Sequence, residues 1–203
     1  MKAKDKRTPV EEIKNLLMRQ NGVLLTSDLA RLGIPRTYLS LLIKKGEVER
    51  IARGVYASPT GIVDEMSALQ ARYKNAVFSH ETALFLWDLS DRTPLFHSVT
   101  VPAGYNATLI KANGAKVFYA KKSLFPLGLT IIRSPHGNDI KTYNLERTIC
   151  DVVRNRNQLD PQYLTEAVKR YMGKKEKNLS LLYHYAEQFR IQRIIRPYIE
   201  VLL

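Results

Sequence analysis

With 203 residues, 45% of them hydrophobic, the chain is long enough for one large or two small domains, and its apolar content excludes wholesale disorder. Its 32 lysines and arginines against 19 acidic residues give a formal charge of +13, which points to a polyanionic partner, nucleic acid before anionic membrane. The single cysteine, Cys150, excludes an intramolecular disulfide and suits a reducing compartment.

The chain opens on Lys2, Lys4, Lys6 and Arg7, but polar Thr8-Pro9 and Glu11-Glu12 follow where a signal peptide needs an apolar stretch. No run approaches the roughly 18 apolar residues of a membrane span, so the expected location is the cytoplasm, with no membrane partner. Thr8-Pro9-Val10-Glu11 reads as a capping box, and Val10, Ile13, Leu16 and Leu17 recur at helical spacing until Asn21-Gly22. Thr26-Ser27-Asp28 starts a short second helix that stops at Gly33. A third helix is expected over 35–45, ended by Gly46, and then a hairpin of Val48–Ile51 and Val55–Ala57 around Ala52-Arg53-Gly54.

Ser58-Pro59-Thr60-Gly61 is the expected boundary, dividing the chain into domains 1–60 and 61–203. Beyond it, 63–73 and 79–87 read as helices, the second capped by Ser79. Strands are expected at His97–Val101, Ala107–Ile110, Lys116–Tyr119 and Leu129–Ile132. Helices are expected at 144–154, from Asp160-Pro161 to Met172, at Leu179–Phe189 and over 192–202. The fold class is therefore α+β: an N-terminal winged helix-turn-helix, then a mixed α/β domain with a helical C-terminal end.

In a winged helix-turn-helix the third helix lies in the major groove and the hairpin touches flanking backbone. At about 100° per residue, Leu39, Leu42 and Ile43 share one stripe, expected to pack on the first two helices. The opposite face carries Thr37, Ser40, Leu41 and Lys44, flanked by Tyr38 and Lys45, with Arg36 at the N-terminal end. Leu41 is the odd member, suited either to a thymine methyl or to packing beneath the wing. In the wing, Arg50 and Arg53 suit phosphate or a narrow minor groove, while Glu47 and Glu49 turn its base away from a duplex. The charge agrees: residues 1–60 carry +6, residues 61–120 none and residues 121–203 +7. The expected partner is double-stranded DNA. Lys169, Arg170, Lys174, Lys175 and Lys177, beside Tyr171, form a second basic cluster, read either as another nucleic-acid surface or as a solvated helix end.

The segments Leu24-Leu25-Thr26-Ser27-Asp28-Leu29 through Gly33-Ile34-Pro35-Arg36, and Val48-Glu49-Arg50-Ile51-Ala52-Arg53-Gly54-Val55-Tyr56, resemble the N-terminal domain of AbiEi-type antitoxins. Ser79-His80-Glu81-Thr82-Ala83-Leu84, Val99-Thr100-Val101-Pro102 and Glu146-Arg147-Thr148-Ile149-Cys150-Asp151 extend the resemblance downstream. It implies a bacterial type IV toxin–antitoxin system acting in abortive infection. Such an antitoxin represses its own operon at inverted repeats and counteracts a nucleotidyltransferase-like toxin, with no stable complex required. A ligand-responsive regulator without a toxin is the alternative, with Trp87, Phe96, Tyr105, Phe118, Tyr119 and Phe125 as its candidate pocket.

Catalysis is not expected. Ser79 reads as a cap, Glu81 as a first-turn acid and Arg147–Asp151 as an i,i+4 ion pair. Cys150 sits among Ile149, Val152 and Val153 as a core thiol, and His80, His97, His136 and His184 lack metal-ligand spacing. No glycine loop suits a phosphate-bound cofactor, so neither cofactor nor metal is expected.

Overall fold

Where the sequence places a capping box, the first helix begins. The computed structural model describes residues 8–59 and 64–201, and they fold in the expected α+β class. Helix α1 (Pro9–Arg19) starts with the Glu11 amide donating to Thr8 Oγ1 at 3.3 Å and the Thr8 amide to the Glu11 carboxylate at 2.8 Å. Asn21 and Gly22, with φ of 46° and 84°, turn the chain into strand β1 (Val23–Leu25). Helix α2 (Thr26–Arg31) is held at its start by Asp28, whose carboxylate accepts from the Leu25 amide at 3.2 Å and pairs with Arg31 at 2.6 Å. Gly33, at φ 69°, takes the left-handed turn that lets the Ile34 amide reach back to the Leu29 carbonyl.

Helix α3 (Thr37–Lys44) begins two residues later than expected, since Pro35 and Arg36 form the turn before it. Strands β2 (Glu49–Ala52) and β3 (Val55–Ala57) form the expected hairpin, and β1 adds to it antiparallel in the order β1-β3-β2. Ile13, Leu17, Leu24, Leu29, Leu39, Leu42 and Val48 form the core, each full burial contributing roughly 1.5–3 kcal/mol.

The expected boundary residues Thr60 and Gly61, and Val63 at the head of the next expected helix, lie outside the described residues. Packing divides the chain elsewhere: residues up to Lys74 together with Arg133–Ile140 form one compact unit, and Asn75–Ile132 with Lys141–Leu203 the other. The first unit therefore runs past residue 60 and is discontinuous in sequence. Its hub is Asp64, which caps helix α4 (Glu65–Arg72) by accepting from the Ser67 amide at 3.1 Å. The buried Asp64 carboxylate also accepts from the Ser134 hydroxyl and, at 2.8 Å, from the Asn138 side-chain amide. Asn21 in turn donates to Asn138 Oδ1 at 3.3 Å. Local hydrophobic periodicity carries no trace of such long-range pairing.

A five-stranded sheet and a helical tail follow. The strands are β4 (Val77–Phe78), β5 (Ser98–Pro102), β6 (Lys116–Ala120), β7 (Leu129–Arg133) and β8 (Asp139–Tyr143), ordered β6-β5-β4-β8-β7; Arg133 of β7 and Asp139–Ile140 of β8 count with the first unit and the rest with the second. Helix α5 (His80–Leu86) follows β4. The expected strand at Ala107–Ile110 is instead helix α6 (Thr108–Ala112), started by Asn106 accepting from the Thr108 amide at 3.1 Å. The reason is topological: β5 and β6 are parallel, and parallel neighbours need a crossover, usually helical. Ser79 occupies the N-cap position of α5 without a capping bond, contrary to expectation, because its hydroxyl is committed to Thr100 at 2.8 Å and His80 at 3.0 Å.

The tail comprises α7 (Leu145–Arg154), α8 (Pro161–Gly173), α9 (Leu179–Gln188) and α10 (Gln192–Glu200). Helix α7 buries Ile149, Cys150, Val152 and Val153 in a core shared with Tyr163, Leu164, Ala167 and Leu182. It also buries charge. Arg147 donates from Nε to Asp151 at 3.0 Å and from Nη1 to the Leu124 and Leu127 carbonyls, each at 2.7 Å. Its guanidinium lies 4.1 Å from the Tyr143 ring centroid and 4.4 Å from that of Phe189. At Gly128 a Cβ would stand 2.6 Å from Arg147 Cβ, so only glycine lets the backbone pass. Among the described residues no helix is long and apolar enough to cross a membrane.

Candidate nucleic-acid interface

Helix α3 sorts its residues by face. Leu39 and Leu42 are buried in the core, while Arg36, Thr37, Ser40, Lys44 and Lys45 are exposed. Two expectations need correction. Ile43, expected inside, is 39% exposed, since the inward line runs between Leu39 and Leu42 and leaves Ile43 on the flank. Tyr38, expected on the reading face, is half-buried and packs against the core. Leu41 is 42% exposed and lies outside the core cluster of the first unit.

The hairpin is fixed to the helices through β1, a strand too short to show periodicity in the sequence. Val23, Leu24 and Leu25 pair with Ala57, Tyr56 and Val55, and β1 leads directly into α2. The Thr26 amide donates to the Gly54 carbonyl at 3.0 Å, which ties the hairpin turn to the start of α2. Gly54 sits at φ 77°, and a Cβ there would meet Thr26 Oγ1 at 3.0 Å, so glycine is required. A register shift between Arg50 and Ala52 interrupts the pairing. Arg50 is exposed and donates from Nε to the Ala52 carbonyl at 3.3 Å; Arg53 is exposed at the turn.

Electrostatics leave this face cationic. Lys14 pairs with Glu47 at 2.5 Å, and that hydrogen bond holds the Glu47 carboxyl below its ordinary value. Among the described residues Arg36, Lys44, Lys45 and Arg53 have no ion-pair partner. Exposed cations keep their hydration in the free protein and can exchange it for phosphate oxygens.

The second basic cluster is differently placed. Arg170 is held by Asp91 and, at 2.7 Å, by Glu166. Lys177 donates to the Lys174 carbonyl at 3.3 Å, both side chains being half-buried, and Tyr171 is buried. Lys169 and Lys175 remain exposed.

The residues weighed for catalysis are bound into packing. Glu81 accepts from Lys116 at 2.7 Å and from the Ser98 hydroxyl at 2.9 Å. His80 is buried, at φ 49°, with its ring stacked on Phe118 at a centroid distance of 3.4 Å. The Asn155 side-chain amide donates to the Asp151 carbonyl at 2.9 Å, which turns the same nitrogen toward His80 Nε2, also at 2.9 Å. Nε2 is therefore the acceptor, and Nδ1–H donates to Ser79 at 3.0 Å; a ring that donates to a serine cannot take its proton. Burial first, then the Lys116, Arg147 and Arg154 charges, hold the His80 pKa well below its ordinary value. Burial likewise pushes the Cys150 thiol far up, which makes it inert.

A cavity of about 330 Å³ opens in the second unit between Phe96, Leu95, Tyr163 and the Glu81–Lys116 pair. Of the six aromatics that the sequence offers as a candidate pocket, Phe96 alone lines it. Trp87 instead donates to the Tyr143 carbonyl at 2.7 Å, and Tyr119 faces Lys111.

Residues 11–59, from α1 through β3, match a family model described as a transcriptional regulator, the AbiEi antitoxin, in agreement with the resemblance over that segment. The chain as a whole is similar in fold to a solved structure, the RV2827C protein from Mycobacterium tuberculosis. That likeness has a TM-score of 0.58 at 14% identity and covers 89% of this chain and 72% of the other. No curated protein matches the chain.

Proposed function

We propose that the chain is an antitoxin-type transcriptional regulator whose first unit binds promoter DNA as a winged helix-turn-helix. Helix α3 enters the major groove with Arg36, Thr37, Ser40 and Lys44 toward base edges and Lys45 toward the backbone. Arg50 and Arg53 in the β2–β3 wing engage flanking phosphates or the minor groove. The observation that carries this reading is the sorting of α3: Leu39 and Leu42 in the core, and hydroxyls and cations outside, beside a cationic hairpin turn. The family match over the same residues supports it.

The finer reading is a cytoplasmic type IV antitoxin. It represses its own operon at inverted repeats, and its second unit counteracts a nucleotidyltransferase-like toxin without a stable complex. The test is a footprint on the DNA upstream of the gene, run beside co-expression with the neighbouring toxin candidate. Replacing Thr37, Ser40 and Lys44 together by alanine should abolish the footprint and leave protection intact. A full-length variant is needed because the first unit runs past Gly61 and includes Arg133–Ile140, so a cut near Gly61 would divide that unit and remove the Asn21 side chain that donates to Asn138. Loss of protection together with the footprint, in a folded protein, refutes the division of labour. The cavity beside Tyr163 favours one second reading, a ligand-responsive repressor; release of the footprint by a small molecule, with no protection from any toxin, would select it.

A further inference from the structure

Base edges and phosphates between them account for the cations of α3, and base-edge hydrogen bonding for its hydroxyls. Neither accounts for Leu41. Its side chain is 42% exposed and lies outside the hydrophobic core cluster of the first unit. On the helix it stands one turn from Thr37 and one turn from Lys44 and Lys45, all exposed, so it belongs to the outward face. A lone exposed leucine is ordinary on a protein surface. This one lies in the middle of a face that is otherwise polar and cationic, where the proposed function puts the major groove.

The one apolar feature that base edges show in that groove is the C5-methyl of thymine. We infer that Leu41 is a specificity-determining residue that reads a thymine in each half-site through its methyl group. The inference rests on the DNA-binding reading and deepens it. Ile43, the other exposed aliphatic of α3, lies about 200° away around the helix, on the flank of the buried stripe, and serves as its control.

The experiment removes one methyl at a time. Full-length protein is titrated against a duplex spanning its upstream footprint, with deoxyuridine replacing each thymidine in turn; pairing and the O4 acceptor are unchanged. For wild type, one position per half-site should weaken binding by about fourfold, the worth of one buried carbon. Leu41→Ala should bind the thymidine duplex more weakly and lose the penalty at that position, while Ile43→Ala keeps it. Far-ultraviolet circular dichroism confirms that both variants fold, which their exposure favours. A flat uridine scan with wild type overturns the inference and leaves DNA binding standing. So does a penalty that survives in Leu41→Ala or disappears in Ile43→Ala. Absence of any upstream footprint refutes the DNA-binding reading itself, and this inference with it.

Discussion

Helices α3 and α7 both carry charge, and they treat it in opposite ways. Helix α7 hides Glu146, Arg147 and Asp151 within the protein and satisfies each one: Arg147 through Asp151, two carbonyls and two rings, Glu146 through the Tyr171 hydroxyl and the Asn178 amide. Helix α3, with Arg36 and Lys45 at its ends, keeps its cations in water, without ion-pair partners among the described residues. A buried charge has to be matched inside the fold, or its desolvation goes uncompensated. An exposed one commits the protein to nothing until a polyanion arrives. The buried charge of α7 is thus part of the architecture, and charge on α3 is left in water.

The contrast breaks most visibly under truncation. Arg147→Ala should cost about 3–5 kcal/mol in urea unfolding, since it leaves Asp151 and two carbonyls buried without their donor, whereas Lys44→Ala should stay within about 0.5 kcal/mol. Comparable losses for the two would erase the distinction. Salt sharpens the other side. If Lys45, Arg50 and Arg53 each neutralise a phosphate, affinity for the upstream duplex should fall about 40-fold between about 50 and 200 mM salt, and Arg53→Ala should reduce the log–log slope by about 0.9. A shallow slope would mean that these cations do not meet DNA.

The smallest effect concerns His80. Its pKa is depressed from the ordinary 6.5, so the unfolded chain takes up a proton that the folded chain refuses. This contribution to stability is present above pH 6.5 and is lost as pH falls from there toward the depressed folded value, at most about 1.4 kcal/mol per pH unit. His80→Asn, which suits the left-handed backbone, should flatten the acid limb of a stability–pH curve. An unchanged limb would mean that His80 is protonated in the folded protein.

The two units also differ in how much of them the sequence reveals. Around α1, α2 and α3 the signals are local: a capping box, stop glycines and apolar spacing that names Leu39 and Leu42. Strand β1 escapes because three residues show no period. Strand β8 escapes because one of its buried positions is the polar Thr142, which hides the alternation that Ile140 begins. Ala107–Ile110 looks like a strand because nothing local announces that its neighbours will be parallel. On α3 the exposed set is legible residue by residue, apart from Ile43 and Tyr38, whose fates turn on a few tens of degrees around the helix axis.

The discontinuity of the first unit sets an order of events during synthesis. Its N-terminal core residues have all emerged by Ala57, but the Ser134 and Asn138 side chains that bury Asp64 are made much later. At about 5–20 residues per second the wait from Lys74 to Ile140 is roughly 3–13 s, during which the Asp64 carboxylate stays hydrated. A nascent chain interrupted in that interval carries every residue of α3 and of the β2–β3 hairpin on an unfinished platform. The last side chains of that platform therefore leave the ribosome only after β4, β5, β6 and β7 have been made.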